Sequence, residues 1–512
     1  MTVARQVSSL AGTLLLASLS LHAQAKQVQY TVEVDAAKSA VFHITMQFTA
    51  QPGTLRLAMP ASTPGEIDIK NHARYVMRLE AFDQQARSLA VRRFDKQTWL
   101  IDVQKSGTVA IHYDVRPNTR DPLRLGTSWL QENGGSIEPA SLFLYLSNHL
   151  DLPISLRLKL PSPWKVVSTL HSDGKGTFVA ADYRRLLDSP LQFGLLEERT
   201  ITEGNIRCRL VFDAPLPPYD ALTFDQNIRK IIRSELQLFG RAPFDEYTVL
   251  FHWRPDLDFG GGIEHGKAMI MNIGKKWMLD LPTNMAGTFA HELFHAWNAE
   301  AFYPRDFARW DYARENYTSL MWFVEGVTNY YATLTLVRTG ILPKEKFYAM
   351  MSNTISSYEN EPGRGFVSLR ESGIAEWIRP IESLDYYAGG EVAGFLLDLE
   401  IRRAAPNRSS LDTVMRALYA QSERADYHGY EEQDLVKLVN ESAARDLAGF
   451  FDLYVRGKGP IDYDRLLRDL GVAVGMKVEQ DGKTYSLSPV DSMTTDQRTF
   501  WQLLLDSAAQ GS

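Results

Sequence analysis

Between residues 26 and 200 apolar side chains recur at every second position, and this period constrains the fold more than any other feature of the chain. Val28, Tyr30, Val32 and Val34 alternate with polar residues, as do Phe42, Ile44, Met46 and Phe48. Val109, Ile111, Tyr113 and Val115 repeat the pattern, followed by Leu156, Leu158 and Leu160. Successive side chains of a strand point to opposite faces, so each of these segments buries one face and solvates the other. Turn residues at 52–53, 64–65 and 118–122 separate them. The reading is an antiparallel, sandwich-like β domain over 26–200.

Near residue 215 the period changes. DAPLPPYD is a Pro-rich junction, and 224–239 then carries helical spacing through Ile228, Ile231, Ile232, Leu236 and Leu238. A strand, YTVLFHW, leads into a glycine-rich loop, DFGGGIEHG, and a second strand, AMIMNI. Two helices follow, one holding FAHELFHAWNAE and one running through MWFVEGVTNYYATLTLV. From about residue 385 the chain reads as amphipathic helices such as GFLLDLEIRRA and LDTVMRALYAQ. The expected class is multidomain α+β: the β domain, a catalytic domain over 201–345, a helical subdomain over 346–475 and a tail over 476–512. A chain of 512 residues has room for all of them.

A net charge of -7 and a pI near 5.9 argue against a nucleic-acid partner. Residues 1–25 read as a secretory leader, with Arg5 in the charged region, an apolar run over 10–21 and Ala23-Gln24-Ala25 as the cleavage site. That run is shorter than the ~20 residues a bilayer needs, and no later segment reaches ~18 uninterrupted apolar residues. The mature chain is therefore expected to be exported, periplasmic or secreted, without an integral membrane segment. Oligomeric state is not set by these features. The single cysteine, Cys208, lies in the strand-like RCRLVF and is expected to be a buried small hydrophobe.

The chemistry sits in HELFH. Residues four apart share a helix face, so His291 and His295 can aim two imidazoles at one ion, and zinc suits such ligands. Glu292, rotated by ~100°, can reach water at the metal without being a ligand. Catalytic zinc takes three protein ligands. Glu325, a carboxylate inside the apolar stretch WFVEGVTNYY, is the candidate third, with Asp306, Asp311 and Glu315 left open by spacing alone.

HELFHAWN followed by DYARENYTSLMWFVEGVTNYY resembles the glycyl aminopeptidase family of zinc metallopeptidases, which are thermolysin-like gluzincins with an N-terminal β domain. GGGIEH, YYAGGEVAGFLLDLEIR and TPGEIDIKNHARYV also match family motifs, in order, over about residues 28–475. The resemblance implies one zinc ion held by His291, His295 and Glu325, with Glu292 as general base and acid. It implies that Glu264 binds the free amino group of a peptide substrate, while Gly260, Gly261 and Gly262 let the substrate backbone approach. Tyr387 would donate a hydrogen bond to the developing oxyanion, with Tyr386 as the alternative. Gly389 occupies the position where related enzymes carry a lysine after this tyrosine. Asn298 could orient a neighbour of the metal, Trp297 packs, and Tyr312, Glu315, Asn316 and Tyr317 support the site. Family members usually continue into a PDZ domain. Only 37 residues follow Gly475, without its carboxylate-binding loop, so that domain is expected to be missing.

The function implied is an exported zinc aminopeptidase, with small first residues such as Gly or Ala expected. The alternatives are a zinc endopeptidase or another zinc hydrolase on the same scaffold, and a non-catalytic peptide-binding protein.

Overall fold

A computed structural model describes residues 27–34, 40–117, 125–378, 380–480 and 482–506. The expected leader at 1–25 and the turn cluster at 118–122 lie outside the described residues.

Alternation becomes strands as expected. Val28–Val34 and Phe42–Ala50 bury every second side chain. An eight-stranded sheet runs in the order His171–Ser172, Thr177–Ala180, Ile154–Lys159, Val28–Val34, Phe42–Ala50, Gly107–Val115, Val76–Phe82, Ser88–Leu89. Two four-stranded sheets, containing Gly53–Ala58 and Leu191–Gly194, share one apolar core with it. Three tyrosines cross that core and satisfy their hydroxyls on one buried segment. Tyr30, Tyr113 and Tyr183 donate to the carbonyls of Leu144, Leu142 and Phe143 at 2.6, 3.1 and 2.7 Å. One pairing departs from the antiparallel expectation, because Val28–Val34 runs parallel to Ile154–Lys159. Alternation reports which face is buried and carries no information on strand direction.

The second domain opens earlier than expected. Glu197–Glu203, which straddles the boundary at 200, pairs with Ile206–Phe212 and so belongs to the following five-stranded sheet. Ile206–Phe212, Glu246–Arg254 and Ala268–Gly274 are parallel neighbours, and Gly261–His265 closes the edge antiparallel to the last. GGGIEH was expected in a loop. The full bonding partner offered by the strand Ala268–Gly274 outweighs the weak strand propensity of its glycines. Cys208 is fully buried here, and burial pushes its thiol up to about 12, as fits a core residue.

Helix Ala221–Phe239 crosses between strands, capped by the Asp220 side chain and ended by Gly240 at φ 81°. The helices Glu345–Glu359, Tyr386–Ala404, Leu411–Ser422 and Glu432–Ala443 form the expected block. The expected boundary at 475/476 falls inside a strand, Val472–Glu479, and the residues beyond it pack as structure rather than trail as a tail. That strand pairs with Gly482–Pro489, whose Tyr485 and Leu487 amides donate to Ser356 and Ser352 of Glu345–Glu359. Helix Thr495–Leu505 buries Trp501, Leu504 and Leu505 in the catalytic domain's own core. Arg338 and Arg402 donate to its last carbonyls. Among the described residues no helix is long and apolar enough to cross a membrane.

One buried acid in this block sets a pH response. Glu391 is 7% exposed and accepts hydrogen bonds from Thr333 (2.9 Å) and Thr354 (3.1 Å). Burial outweighs both bonds and pushes its carboxyl up to about 7. A raised folded-state value means stability that is full below about 4.5 and lost as pH rises through 7. At ~1.4 kcal/mol per unit, Glu391→Gln should remove roughly 3 kcal/mol of that decline. Tm measured from pH 4 to 8 checks this, and a variant whose pH slope matches wild type would refute it.

Candidate metal centre

Helix Ala286–Phe294 carries His291 and Glu292, and His295 follows as its C-cap. Its Phe289, Ala290, Leu293 and Phe294 are buried, which locks the face that bears the histidines. Glu325 arrives on a π-helical turn, Trp322–Gly326, that continues into helix Val327–Arg338. Such turns disrupt the regular bonding ladder and are frequent at functional sites. Here the freed carbonyls are answered by Asn298. Its amide donates to Phe323 O at 3.0 Å, Val324 O at 3.2 Å and Thr328 Oγ1 at 3.0 Å. Asn298 thus clips the turn bearing Glu325 to the end of the histidine helix.

Three ligand atoms converge. His291 Nε2 and His295 Nε2 are 3.0 Å apart, and Glu325 Oε2 lies 3.3 and 3.2 Å from them. A tetrahedral zinc with bonds of ~2.0–2.1 Å separates its ligands by ~3.3 Å. His295 Nδ1 lies 2.8 Å from the Asn298 carbonyl, which can only accept, so Nδ1 carries the proton and Nε2 keeps its lone pair. His295, Glu292 and Glu325 are 1, 6 and 4% exposed. Burial alone would disfavour the Glu325 anion, yet His295 and His291 hold its carboxyl well below the usual range. Burial likewise opposes charge on His295, but Glu325 and Glu264 raise it to about 10, so a divalent ion on Nε2 would take the place of a proton there. Two imidazoles and a carboxylate drawn together this closely, away from water, fit a divalent ion. Asp306, Asp311 and Glu315 take no part in the cluster found there.

Glu292 and Glu264 form the second half of the site. One oxygen of each lies within 4.8 Å of the other and of a His295 nitrogen. Burial, then the charge of Glu264, pushes the Glu292 carboxyl well above its ordinary range. Gly262 makes room for the Glu292 side chain, since a Cβ there would stand 2.5 Å from Glu292 Oε1. Gly260 instead packs on Trp277 and the Asn272 carbonyl. Of the three glycines expected to admit a substrate backbone, only Gly261 stands clear, with Leu125 at 3.6 Å from a Cβ built on it.

Tyr386 and Tyr387 both line the metal pocket, their rings stacked at 4.8 Å. Tyr387 is 37% exposed and its ring lies 6.1 Å from that of His291, whereas Tyr386 is 6% exposed. Gly389 does not face the pocket, because a Cβ there would meet Leu369 and Tyr358. Trp297 is packing, stacked on Phe239 at 4.8 Å. Tyr312 docks the domains together by inserting into the β-domain core against Tyr145 and Tyr183. Asn316 closes the same loop through Asp311 and Arg314, and Tyr317 packs on Trp377.

Residue-level reading missed the β domain's share of the pocket. Gly65, Glu66, Ile67, Asp68 and Lys70 line it opposite the metal cluster, with Lys70 paired to Glu66 at 3.2 Å and Asp68 at 3.5 Å. The signal was present in TPGEIDIK, a motif without an assigned role. Gly65, at φ 89°, lies against Glu264, and a Cβ there would come within 3.0 Å of Oε1.

Residues 29–195 match the Peptidase M61 N-terminal domain, and residues 284–393 match the M61 glycyl aminopeptidase domain. No curated protein sequence matches the chain. Among solved structures, an aminopeptidase N family protein from Idiomarina loihiensis superposes with a TM-score of 0.82 at 24% identity, over 89% of this chain and 81% of that one. An M1 zinc metallopeptidase from Deinococcus radiodurans superposes at 0.52 with 14% identity, over 85% and 94%. A point mutant of that enzyme, solved bound to a Tyr-Ser-Ala substrate, superposes at 0.51 with the same identity and coverage. Two matching domains in family order, around a buried His-His-Glu cluster with its adjoining glutamate, make this chain a zinc metallopeptidase of aminopeptidase type that belongs to the M61 glycyl aminopeptidase family.

Proposed function

We propose that the chain is an exported aminopeptidase that holds one zinc ion on His291, His295 and Glu325 and removes the first residue of peptides, Gly and Ala included. The observation that carries the reading is Glu264, a half-buried carboxylate beside the base Glu292 with the Pro64–Gly65 turn against it. A free amino group held there leaves the first peptide bond over the metal cluster. A chain extending past Glu264 would meet the turn.

When bound, zinc acidifies water and polarises the scissile carbonyl. Glu292 takes the proton of the attacking water and passes it to the leaving amine. Tyr387 donates to the oxyanion from the open side of the pocket, with the Tyr386 ring fixing its plane. Asn298 keeps the proton of His295 on Nδ1 and holds the Glu325 turn in register.

An endopeptidase would hydrolyse N-acetylated and free peptides alike. Glu264→Ala should cost free-amine substrates about 100-fold or more in kcat/KM while barely changing the slow hydrolysis of acetylated ones. If the preference for a free N-terminus survives that change, the exopeptidase reading fails. Export is supported by the leader-like residues 1–25. N-terminal sequencing of the chain recovered outside the cytoplasm should begin at Lys26, and an intact Met1 in that fraction would contradict it.

A further inference from the structure

A second cavity opens beside the metal pocket and shares Gly65, Ile67, Glu264, Met321 and Glu325 with it. It lies between the two domains. Its volume of about 90 Å³ is room for roughly six or more waters at ~10–15 Å³ each, far more than a methyl group fills. The wall shared with the metal pocket sets the apolar Ile67 and Met321 beside the carboxylates Glu264 and Glu325, and Trp310 adds a further apolar surface to the cavity. The far wall is acidic. The carboxylates of Asp188 and Glu300 converge on Gly266, where a Cβ would stand 3.2 Å from each.

These two acids differ in how well they are satisfied. Asp188 is held by Arg185 at 2.9 Å and by the Gly266 amide at 2.8 Å, and it faces the His265 ring. Glu138 faces the other nitrogen of that ring at 3.6 Å, so His265 already answers two carboxylates. The Glu300 carboxylate has no hydrogen bond or ion pair among the described residues. Burial, then repulsion from Asp188, pushes its carboxyl up to about 8. The cation that also lines the cavity, Arg184, is exposed, with its guanidinium 5.7 Å from the Tyr303 ring, and its charge offsets the rise at Glu300 only in part. A half-buried carboxylate without a hydrogen bond beside a second acid is unfavourable, and a cation brought by a ligand would relieve that cost.

We propose that this cavity receives the side chain of the substrate's first residue and that Glu300 selects a cationic one, lysine or arginine. The proposal rests on the aminopeptidase reading, because it is the amino group held at Glu264 that directs the first side chain across the shared wall. Ile67, Trp310 and Met321 cover the aliphatic stem, and Glu300 meets the charged end. Gly and Ala remain substrates that leave the cavity to water.

The test compares neutral and charged side chains of equal length. Lysyl and norleucyl fluorogenic amides, arginyl and citrullyl amides, and the glutamyl amide are assayed with the zinc-loaded wild type and the Glu300 variants. Lysyl and arginyl substrates should exceed their neutral partners by about tenfold or more in kcat/KM. Glu300→Gln should collapse both ratios toward one, and Glu300→Lys should invert the order between lysyl and glutamyl amides. Equal rates for lysyl and norleucyl amides, or a ratio untouched by Glu300→Gln, would overturn the selection by Glu300. Should the variants fail to fold, the wild-type ratios alone decide. Failure to hydrolyse any free-amine substrate would instead refute the aminopeptidase reading on which this one stands.

Discussion

Glu292→Gln should yield a protein that folds, keeps about one zinc per chain and hydrolyses peptides about 100- to 10,000-fold more slowly than wild type. The substitution is isosteric and removes only the capacity to carry a proton from water to the leaving amine. Zinc should stay because Glu292 is not among the three atoms that converge within 3.3 Å of one another. Stability should hold or rise, since burial and the charge of Glu264 both work against an anion at this position. Metal analysis, thermal melting and kcat on one free-amine peptide read all three. Activity within tenfold of wild type would show that Glu292 is not the base. Loss of zinc would show that it is a ligand after all.

The largest stability effect should come from a residue that touches neither metal nor substrate. A Cβ at Gly390 would stand 2.1 Å from the Trp322 carbonyl and 2.9 Å from the Gly326 Cα. Both neighbours are backbone atoms of the π turn that carries Glu325, so no side chain can rotate away. Gly326 faces the same crossing, where its own added Cβ would lie 2.3 Å from the Gly390 Cα. Gly390→Ala must therefore push the helix Tyr386–Ala404 off the turn. We expect a loss of roughly 3 kcal/mol or more, above the usual cost of overpacking, together with weakened zinc binding. Gly394→Ala, one turn along the same helix, is the control. Its Cβ would meet only a side-chain methyl of Val327, at 3.0 Å, and the gain in helix propensity of ~1 kcal/mol offsets part of that contact. Equal melting temperatures for the two variants would refute the account.

Much of the metal site was legible because its spacing is local. His291, Glu292 and His295 lie within one turn and a half, and a helix of any provenance puts the histidines on one face. Glu325 was legible only as a carboxylate in an apolar stretch, and spacing alone could not choose it over Asp306, Asp311 or Glu315. The choice is made by the Asn298 clip, whose partners lie 25 to 30 residues away in sequence. GGGIEH was read as a loop because three glycines carry little strand preference, yet one of them is needed for a reason no window reveals: Gly262 clears space for Glu292. The misplaced domain boundaries have a similar origin. Glu197–Glu203 continues the β alternation of the first domain but finds its partner in the second, and the helix Thr495–Leu505 buries its apolar face against elements more than a hundred residues earlier.

The sequence by itself determined the elements, the order of the two domains and the residue types of a zinc hydrolase, because side-chain period and i, i+4 spacing are properties of a few consecutive residues. Only the tertiary structure decided that the TPGEIDIK loop of the β domain walls the pocket, that Glu264 lies beneath Gly65, and that Glu300 meets Asp188 in the adjoining cavity. Those are juxtapositions of segments far apart in the chain, brought together by burial of two apolar cores and by the insertion of Tyr312 between them.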